Sequence, residues 1–414
     1  MFDFVLTDEQ KAIRDEARSF VKSVPRQLVL DMDADRLEFP REFLREAGRR
    51  GLMGCRYPRR WGGRELDWVA SAAVMEEVGA LGYIFACVFG VGAELVCDAI
   101  IKHGTDAQKE KFVRPLLAGE KCAAECLTEP RGGSDFFGTS TRAEDRGDHF
   151  LLSGQKRFIV GGSAADFFLV YARTDPAAEP HRGISCFVVE RCPEIETKYL
   201  YGLMGSRGGG ASRLVLHDVR VPRENMLGRL HGGLDVFNTM MIPERLGTAA
   251  MTVGAARPAL EIATHYSTRR KAFGQTIDRF EGVSFQIAEA ATLLDASRAM
   301  VYATCLAVDR GEPTGRIRRL VSETKKFVTE SCQKAAHHAM QVMGGIGYTN
   351  VYPLERIVRD LHLASIWTGT NEVMAMIAAS EWYREERVRR EGDATRDGEQ
   401  DAAEADAVEE KVFE

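Results

Sequence analysis

The sequence predicts an α+β protein made of three consecutive segments, helical, then strand-rich, then helical again. Three observations predict it. Apolar residues recur at helical spacing over residues 1–120. Short runs rich in Val, Ile, Phe and Tyr, bounded by turn-forming residues, occupy 121–232. Long helical periods then return over 233–385. A chain of 414 residues also exceeds what one core ordinarily organises, so two or three domains are expected.

In the first segment Thr7-x-x-Gln10 has the form of a capping box, and Ile13, Ala17, Phe20, Val21 and Val24 follow at helical spacing. Further helices are expected over 41–50, 68–81 and 92–102, separated by Gly- and Pro-rich breaks such as 57–63. In the middle segment the strand candidates are 150–152, 167–171, 184–189 and 214–221. The last segment offers helices over 246–270, 283–310, 321–343 and 373–384. Residues 386–414 are Arg, Glu, Asp, Ala and Gly with almost no apolar content, and read as a disordered charged tail.

Net charge is −6, and the Lys and Arg residues are spread along the chain, which argues against nucleic acid or an anionic membrane as partner. The longest apolar stretch, 83–93, is short of a membrane span. The N-terminus carries acids where a signal peptide needs a basic region, so a cytoplasmic protein is expected. Nine cysteines, with only Cys122 and Cys126 near a recognisable spacing and no second pair, read as reduced buried thiols, and no metal site is expected.

Glycine-rich phosphate loops of the GxGxxG and GxxxxGK[ST] kinds are absent, so any dinucleotide must be gripped differently. Four segments supply a grip: Leu127-Thr128-Glu129-Pro130-Arg131-Gly132-Gly133-Ser134-Asp135, Arg269-Arg270-Lys271-Ala272-Phe273-Gly274, Gln341-Val342-Met343-Gly344-Gly345-Ile346-Gly347-Tyr348 and Trp367-Thr368-Gly369-Thr370-Asn371-Glu372. Singly, each could be an ordinary turn. Together, in this order and spacing, the chain up to about Tyr383 resembles the acyl-CoA dehydrogenase family. The resemblance implies an N-terminal helical domain, a β-barrel-like middle domain and a C-terminal four-helix bundle that forms a homotetramer, with FAD between the middle domain and the bundle.

It also implies which residues hold the cofactor. Leu127, Thr128, Gly133 and Ser134 would lie against the flavin and pyrophosphate, where small residues allow close backbone approach and hydroxyls add donors. Arg270 and Phe273 would reach the cofactor of a neighbouring subunit. Gln341, Gly344 and Gly345 would meet the adenosine diphosphate portion, and Thr370 and Glu372 would close the site. Phe158 and Val160 stand where many relatives have Trp and a Thr or Ser hydroxyl beside the flavin, so the flavin environment here departs from the common pattern.

Removing the α-proton of a thioester needs a carboxylate opposite the flavin and a hydrogen-bonded thioester oxygen. In the commonest relatives the carboxylate directly precedes Gly-Thr of the late motif, where this chain has Thr368. A minority, including isovaleryl-CoA and long-chain dehydrogenases, carry it upstream immediately before an arginine. Met241-Ile242-Pro243-Glu244-Arg245-Leu246 matches that alternative, so Glu244 is the expected base. Ser134, Arg245, Thr368 and Gly369 are the expected substrate contacts, the Thr368 amide holding the thioester oxygen.

A second catalytic candidate is Glu94, which shares a helical face with Asp98 inside the apolar stretch 84–101. A carboxylate among apolar side chains there would suit proton transfer further along the acyl group. Asp135-Phe136-Phe137-Gly138, Gly208-Gly209-Gly210 and the segment from Met240 to Leu246 resemble dehydrogenases for cyclohexane- and cyclohexenecarboxyl-CoA. The functions this implies are dehydrogenation of an alicyclic or branched acyl-CoA, with an electron-transfer flavoprotein as acceptor. The same residues would serve an enoyl-CoA reductase or an acyl-CoA oxidase, and an inactive FAD-binding scaffold is the alternative of a different class.

Overall fold

The structure, a computed structural model, describes residues 3–392 and Ala407. Helix α1 (Asp8–Ser23) begins at the expected capping box: Thr7 Oγ1 accepts from the Gln10 N–H at 3.2 Å, and the Gln10 side chain accepts from the Thr7 N–H at 2.8 Å. Helix α2 (Trp68–Leu81) is capped by Asp67, which accepts from the Ala70 N–H at 2.8 Å. Helix α3 (Tyr83–His103) includes a π-helical stretch at Val91–Val96.

Helix α3 is longer than the sequence suggested. By length and composition it and Glu281–Asp309 could each cross a membrane, but 94% of the most apolar window of α3 is buried inside the protein. It is the central helix of the N-terminal segment, apolar all round because it is covered all round.

The middle segment is a mixed sheet of eight strands: β1 (Ala123–Cys126), β2 (Arg142–Asp145), β3 (His149–Ile159), β4 (Phe167–Arg173), β5 (Ile184–Glu190), β6 (Ile195–Leu200), β7 (Ser212–Pro222) and β8 (Met226–Leu227). Its order is β6-β7-β3-β2-β4-β5-β8, with β1 parallel to β4. The terminal strands β6 and β8 do not pair with each other among the described residues, so the expected barrel is an open sheet. One face packs on the helices through Phe167, Leu169 and Tyr171. The alternate residues Phe168, Val170 and Ala172 belong to a separate core within the sheet domain.

The C-terminal segment holds four long helices, α4 (Gly233–Ser267), α5 (Glu281–Asp309), α6 (Thr314–Met343) and α7 (Asn371–Gly392), with α6 packed against the other three. Two begin earlier than expected, α4 at Gly233 instead of 246 and α6 at Thr314 instead of 321. Pro243 and Pro258 both lie inside α4, where tertiary packing overrides their helix-breaking tendency. The tail expected from residue 386 is also corrected. Helix α7 continues to Gly392 through Arg and Glu, both good helix formers. The remainder of that tail lies outside the described residues, apart from Ala407.

The Gly208–Gly210 loop has a packing role. Added Cβ atoms would meet Met32 at Gly208 (2.6 Å) and Ile84 at Gly209 (2.3 Å), so the glycines let the sheet close onto the N-terminal helices.

Candidate active site

Helix α4 carries Glu244 into the interior, leaving it 8% exposed, and among the described residues no group hydrogen-bonds its Oε2. Burial pushes its carboxyl up to about 7, against the pull of the Arg245 and Lys325 charges. Lys325, fully buried on α6, is pushed down to about 7 by burial and by Arg245, against Glu244. A carboxyl poised near neutrality can both accept and donate a proton under ordinary conditions.

The late loop faces this carboxyl's neighbours. Thr368 has φ +57° and Gly369 φ +84°, so a non-glycine residue is held in the left-handed region next to a glycine. Two cations fix the turn: Arg245 Nε donates to the Thr368 carbonyl at 3.4 Å, and Lys325 Nζ donates to the Gly369 carbonyl at 2.9 Å and to Asn371 Oδ1 at 3.0 Å. Trp367 Nε1 donates to the Tyr83 hydroxyl at 2.9 Å, tying the loop to α3. The Thr368 hydroxyl is buried without a hydrogen-bond partner. Arg245, an expected substrate contact, is 7% exposed and directs its Nε at the loop, where it also positions the turn.

Opposite α4 stands the face of β1 and β4. Phe136 stacks on Phe237 of α4 at 4.3 Å between ring centroids and meets Tyr171 edge-on at 5.3 Å. The Tyr171 hydroxyl approaches Met240 Sδ at 3.8 Å, one helical turn before Glu244. The loop after β1 is anchored from beneath. Lys156 Nζ, fully buried, donates to Glu129 Oε1 at 2.8 Å and to the Tyr171 carbonyl at 2.8 Å. Burial would raise the Glu129 carboxyl, but the Lys156 charge and bonds from Lys156, Ser140 and Thr141 hold it at about 2. Glu129 thus holds up the loop that carries Thr128 and Ser134.

Family models described as acyl-CoA dehydrogenase N-terminal, middle and C-terminal domains match residues 7–120, 124–219 and 231–382. The chain belongs to the acyl-CoA dehydrogenase family. The 3-(aryl)acrylate reductase of Clostridium sporogenes is 32% identical over 375 residues, covering 90% of this chain and 98% of the relative. A caffeyl-CoA reductase–Etf complex subunit of Acetobacterium woodii is 33% identical, covering 90% and 97%. The structure of butyryl-CoA dehydrogenase from Megasphaera elsdenii superposes with a TM-score of 0.88 at 31% identity, covering 92% of this chain and 100% of that one.

Acyl-CoA dehydrogenases use FAD, and the residues here fit it. Cβ atoms added at Gly133, Gly344 or Gly345 would meet nothing within 4 Å, which leaves room for a group to come against the backbone. Phe158, half exposed, is held at φ +58° beside Tyr201, and the Arg157 N–H bonds the Thr128 carbonyl at 2.9 Å. Leu127, Thr128, Phe158 and Val160 are thereby brought together, with Gly133 and Ser134 exposed at the rim. Thr370 and Glu372 stand at the start of α7, where a backbone N–H and the Thr370 side chain, and then the Lys325 charge, lower the Glu372 carboxyl.

Arg270 and Phe273 are not joined to this group by any hydrogen bond, ion pair or ring contact. Phe273 is 95% exposed at φ +52° and meets the Phe280 ring edge-on. Gln341 lines a separate cleft of about 510 Å³ with His337, His338 and Gln286.

Glu94 is corrected. Its surroundings are not apolar: Arg56 Nη2 donates to its Oε2 at 2.7 Å and Ser71 Oγ to its Oε1 at 2.6 Å, while Arg56 also reaches Asp98 at 3.2 Å. Both oxygens are engaged, so its expected catalytic role is withdrawn. Glu94 instead forms part of the wall of a cavity of about 10 Å³, with Trp68, Met75, Pro243, Leu246 and Gly247.

Two site residues were missed in the sequence. Lys325 falls between Val321 and Val328 on the buried face of α6, and a lysine at such a position is a signal in itself. Glu125 lies in β1 between Ala124 and Cys126, which belong to the core of the sheet domain, so it shares the opposite face with its partner Leu169.

Proposed function

We propose that this acyl-CoA dehydrogenase removes the α-proton of a branched or alicyclic acyl-CoA thioester with Glu244. The observation that carries the reading is the buried Glu244 carboxyl, with one oxygen unpartnered among the described residues and its proton affinity raised to near neutrality. Leu127, Thr128, Gly133, Ser134, Phe158 and Val160 would hold the flavin, and FAD when bound accepts the hydride that leaves the β-carbon. The Thr368 amide, in a turn pinned by Arg245 and Lys325, holds the thioester oxygen as enolate character develops.

A branched or alicyclic acyl group is supported by the likeness of Asp135-Phe136-Phe137-Gly138 and of the segment from Met240 to Leu246 to dehydrogenases for cyclohexane- and cyclohexenecarboxyl-CoA. Exposed Phe273, Phe285, Tyr348, Ile366 and Met376 on the C-terminal segment support assembly into a homotetramer. The Etf named in one relative supports an electron-transfer flavoprotein as acceptor.

Reduction of an enoyl thioester is the second reading. The reductases among the relatives favour it, and so does a Glu244 carboxyl that is half protonated near pH 7 and can return a proton to the α-carbon. The test is anaerobic bleaching of the purified yellow protein by straight, branched, alicyclic and aryl acyl-CoA thioesters. Rapid bleaching by a branched or alicyclic member is expected. Preference for octanoyl-CoA would overturn the branched or alicyclic reading, and no bleaching by any saturated thioester, with reoxidation of the reduced flavin by enoyl thioesters, would favour the reductase.

A further inference from the structure

A second carboxyl, Glu125, lies near Glu244. Glu125 lies on β1 opposite Leu169 of β4, and strand alternation puts its side chain on the face of Leu169 and Tyr171 that meets the helices. Tyr171 touches Met240, and Met240 and Glu244 are one turn apart on α4, so Glu125 and Glu244 lie near each other across the interface between sheet and helix, close enough for the charge of Glu244 to act on Glu125. Phe136, Leu169, Phe237 and Met240 pack in the same apolar core.

The Glu125 carboxyl has no work to do within the protein. Its Oε1 is buried, and no hydrogen bond or ion pair reaches it among the described residues. The nearest cation, Lys156, is committed to Glu129 and to the Tyr171 and Leu127 carbonyls. Burial, and then the charge of Glu244, raise the Glu125 carboxyl well above the usual carboxylate range. With Glu244 as the base, Glu125 is the partner that keeps its proton, because two carboxyls near each other in a dry interior do not both ionise.

We infer that Glu125 is a specificity-determining residue that donates a hydrogen bond to an oxygen on the acyl group, so that the preferred substrate is an oxygen-bearing acyl thioester. The inference rests on the assignment of Glu244 as base. A plain hydrocarbon acyl group would leave the buried donor unsatisfied, at a cost of about 1–3 kcal/mol, whereas an acyl oxygen beyond the β-carbon satisfies it. An apolar residue at 125 would serve a hydrocarbon substrate better.

The experiment compares matched thioesters differing by one oxygen, cyclohexanecarboxyl-CoA with its 4-oxo analogue and hexanoyl-CoA with 5-oxohexanoyl-CoA. Anaerobic bleaching rates of the FAD-loaded protein are followed for the wild type, Glu125→Leu and Glu125→Gln. The wild type is expected to favour the oxo member of at least one pair by roughly 10- to 100-fold, the range set by one satisfied against one unsatisfied buried donor. Glu125→Leu should erase or reverse that preference, and Glu125→Gln, which keeps a donor of similar size, should retain part of it. An oxo preference unchanged in both variants, or a wild type that favours the plain member of both pairs, overturns the inference while leaving Glu244 in place. A wild type bleached by none of the four, and whose reduced flavin is reoxidised by none of the corresponding enoyl thioesters, overturns the Glu244 reading, and this inference with it.

Discussion

Between the helices of the N-terminal segment and the bundle, buried carboxylates meet arginines. Glu76 is bonded by Arg298 at 2.7 Å and Arg257 at 3.1 Å, Glu77 by Arg18 at 2.9 Å and Arg257 at 3.0 Å, and Glu94 by Arg56 at 2.7 Å. Where the sheet meets α4, Glu125 and Glu244 each have a buried oxygen with no such partner among the described residues, although Arg245 directly follows Glu244 in the chain. Arg245 reaches past its neighbour to the Thr368 carbonyl. The consequences diverge. Burial would raise Glu77, but the bonds from Arg257 and Arg18 hold it below the usual range, whereas Glu125 and Glu244 go up. The same residue type in the same dry interior is a structural clamp where a guanidinium meets it, and a proton-handling group where none does.

The largest effect expected from the paired set is on stability. Arg257→Met strips a partner from both Glu76 and Glu77 and should cost about 3–5 kcal/mol in denaturant unfolding, as breaking a buried pair does. The site lies about 20 Å along α4 from Glu244, so the bleaching rate per folded molecule should barely move. A large loss of rate without loss of stability would erase the distinction between the two sets.

A smaller effect is expected where the sets are linked. Dehydrogenation of the acyl thioester, which bleaches the flavin, needs Glu244 deprotonated, so its rate should rise as pH climbs through about 7, and reduction of an enoyl thioester should fall over the same range. Lys325 pulls the Glu244 carboxyl down and titrates with it. Lys325→Met should therefore move the rising limb to higher pH, lowering the rate at pH 7 by about 10-fold for each unit of displacement. A limb that stays in place in this variant would remove Lys325 from the account.

The three-part fold was legible because helical and strand periodicities change at the segment boundaries and because four motifs recur in order. Helix starts were less legible. Pro243 and Pro258 read locally as breaks, yet α4 runs through both, held by packing on two sides that a linear pattern does not display. Glu244 was found because an acid absent at Thr368 had to be supplied elsewhere. Glu94 was misjudged because its partner Arg56 lies 38 residues away in the chain. One acid in the short strand β1 reads locally as an exposed position, and only the helices packed on the face it shares with Leu169 make Glu125 an interior group.

The most direct test of Glu244 as base is anaerobic flavin bleaching by a saturated acyl-CoA in Glu244→Gln, with bound FAD quantified from the same preparation. The account predicts full FAD content and a bleaching rate lower by about 10²- to 10⁴-fold. A rate close to that of the wild type, with FAD retained, would contradict it.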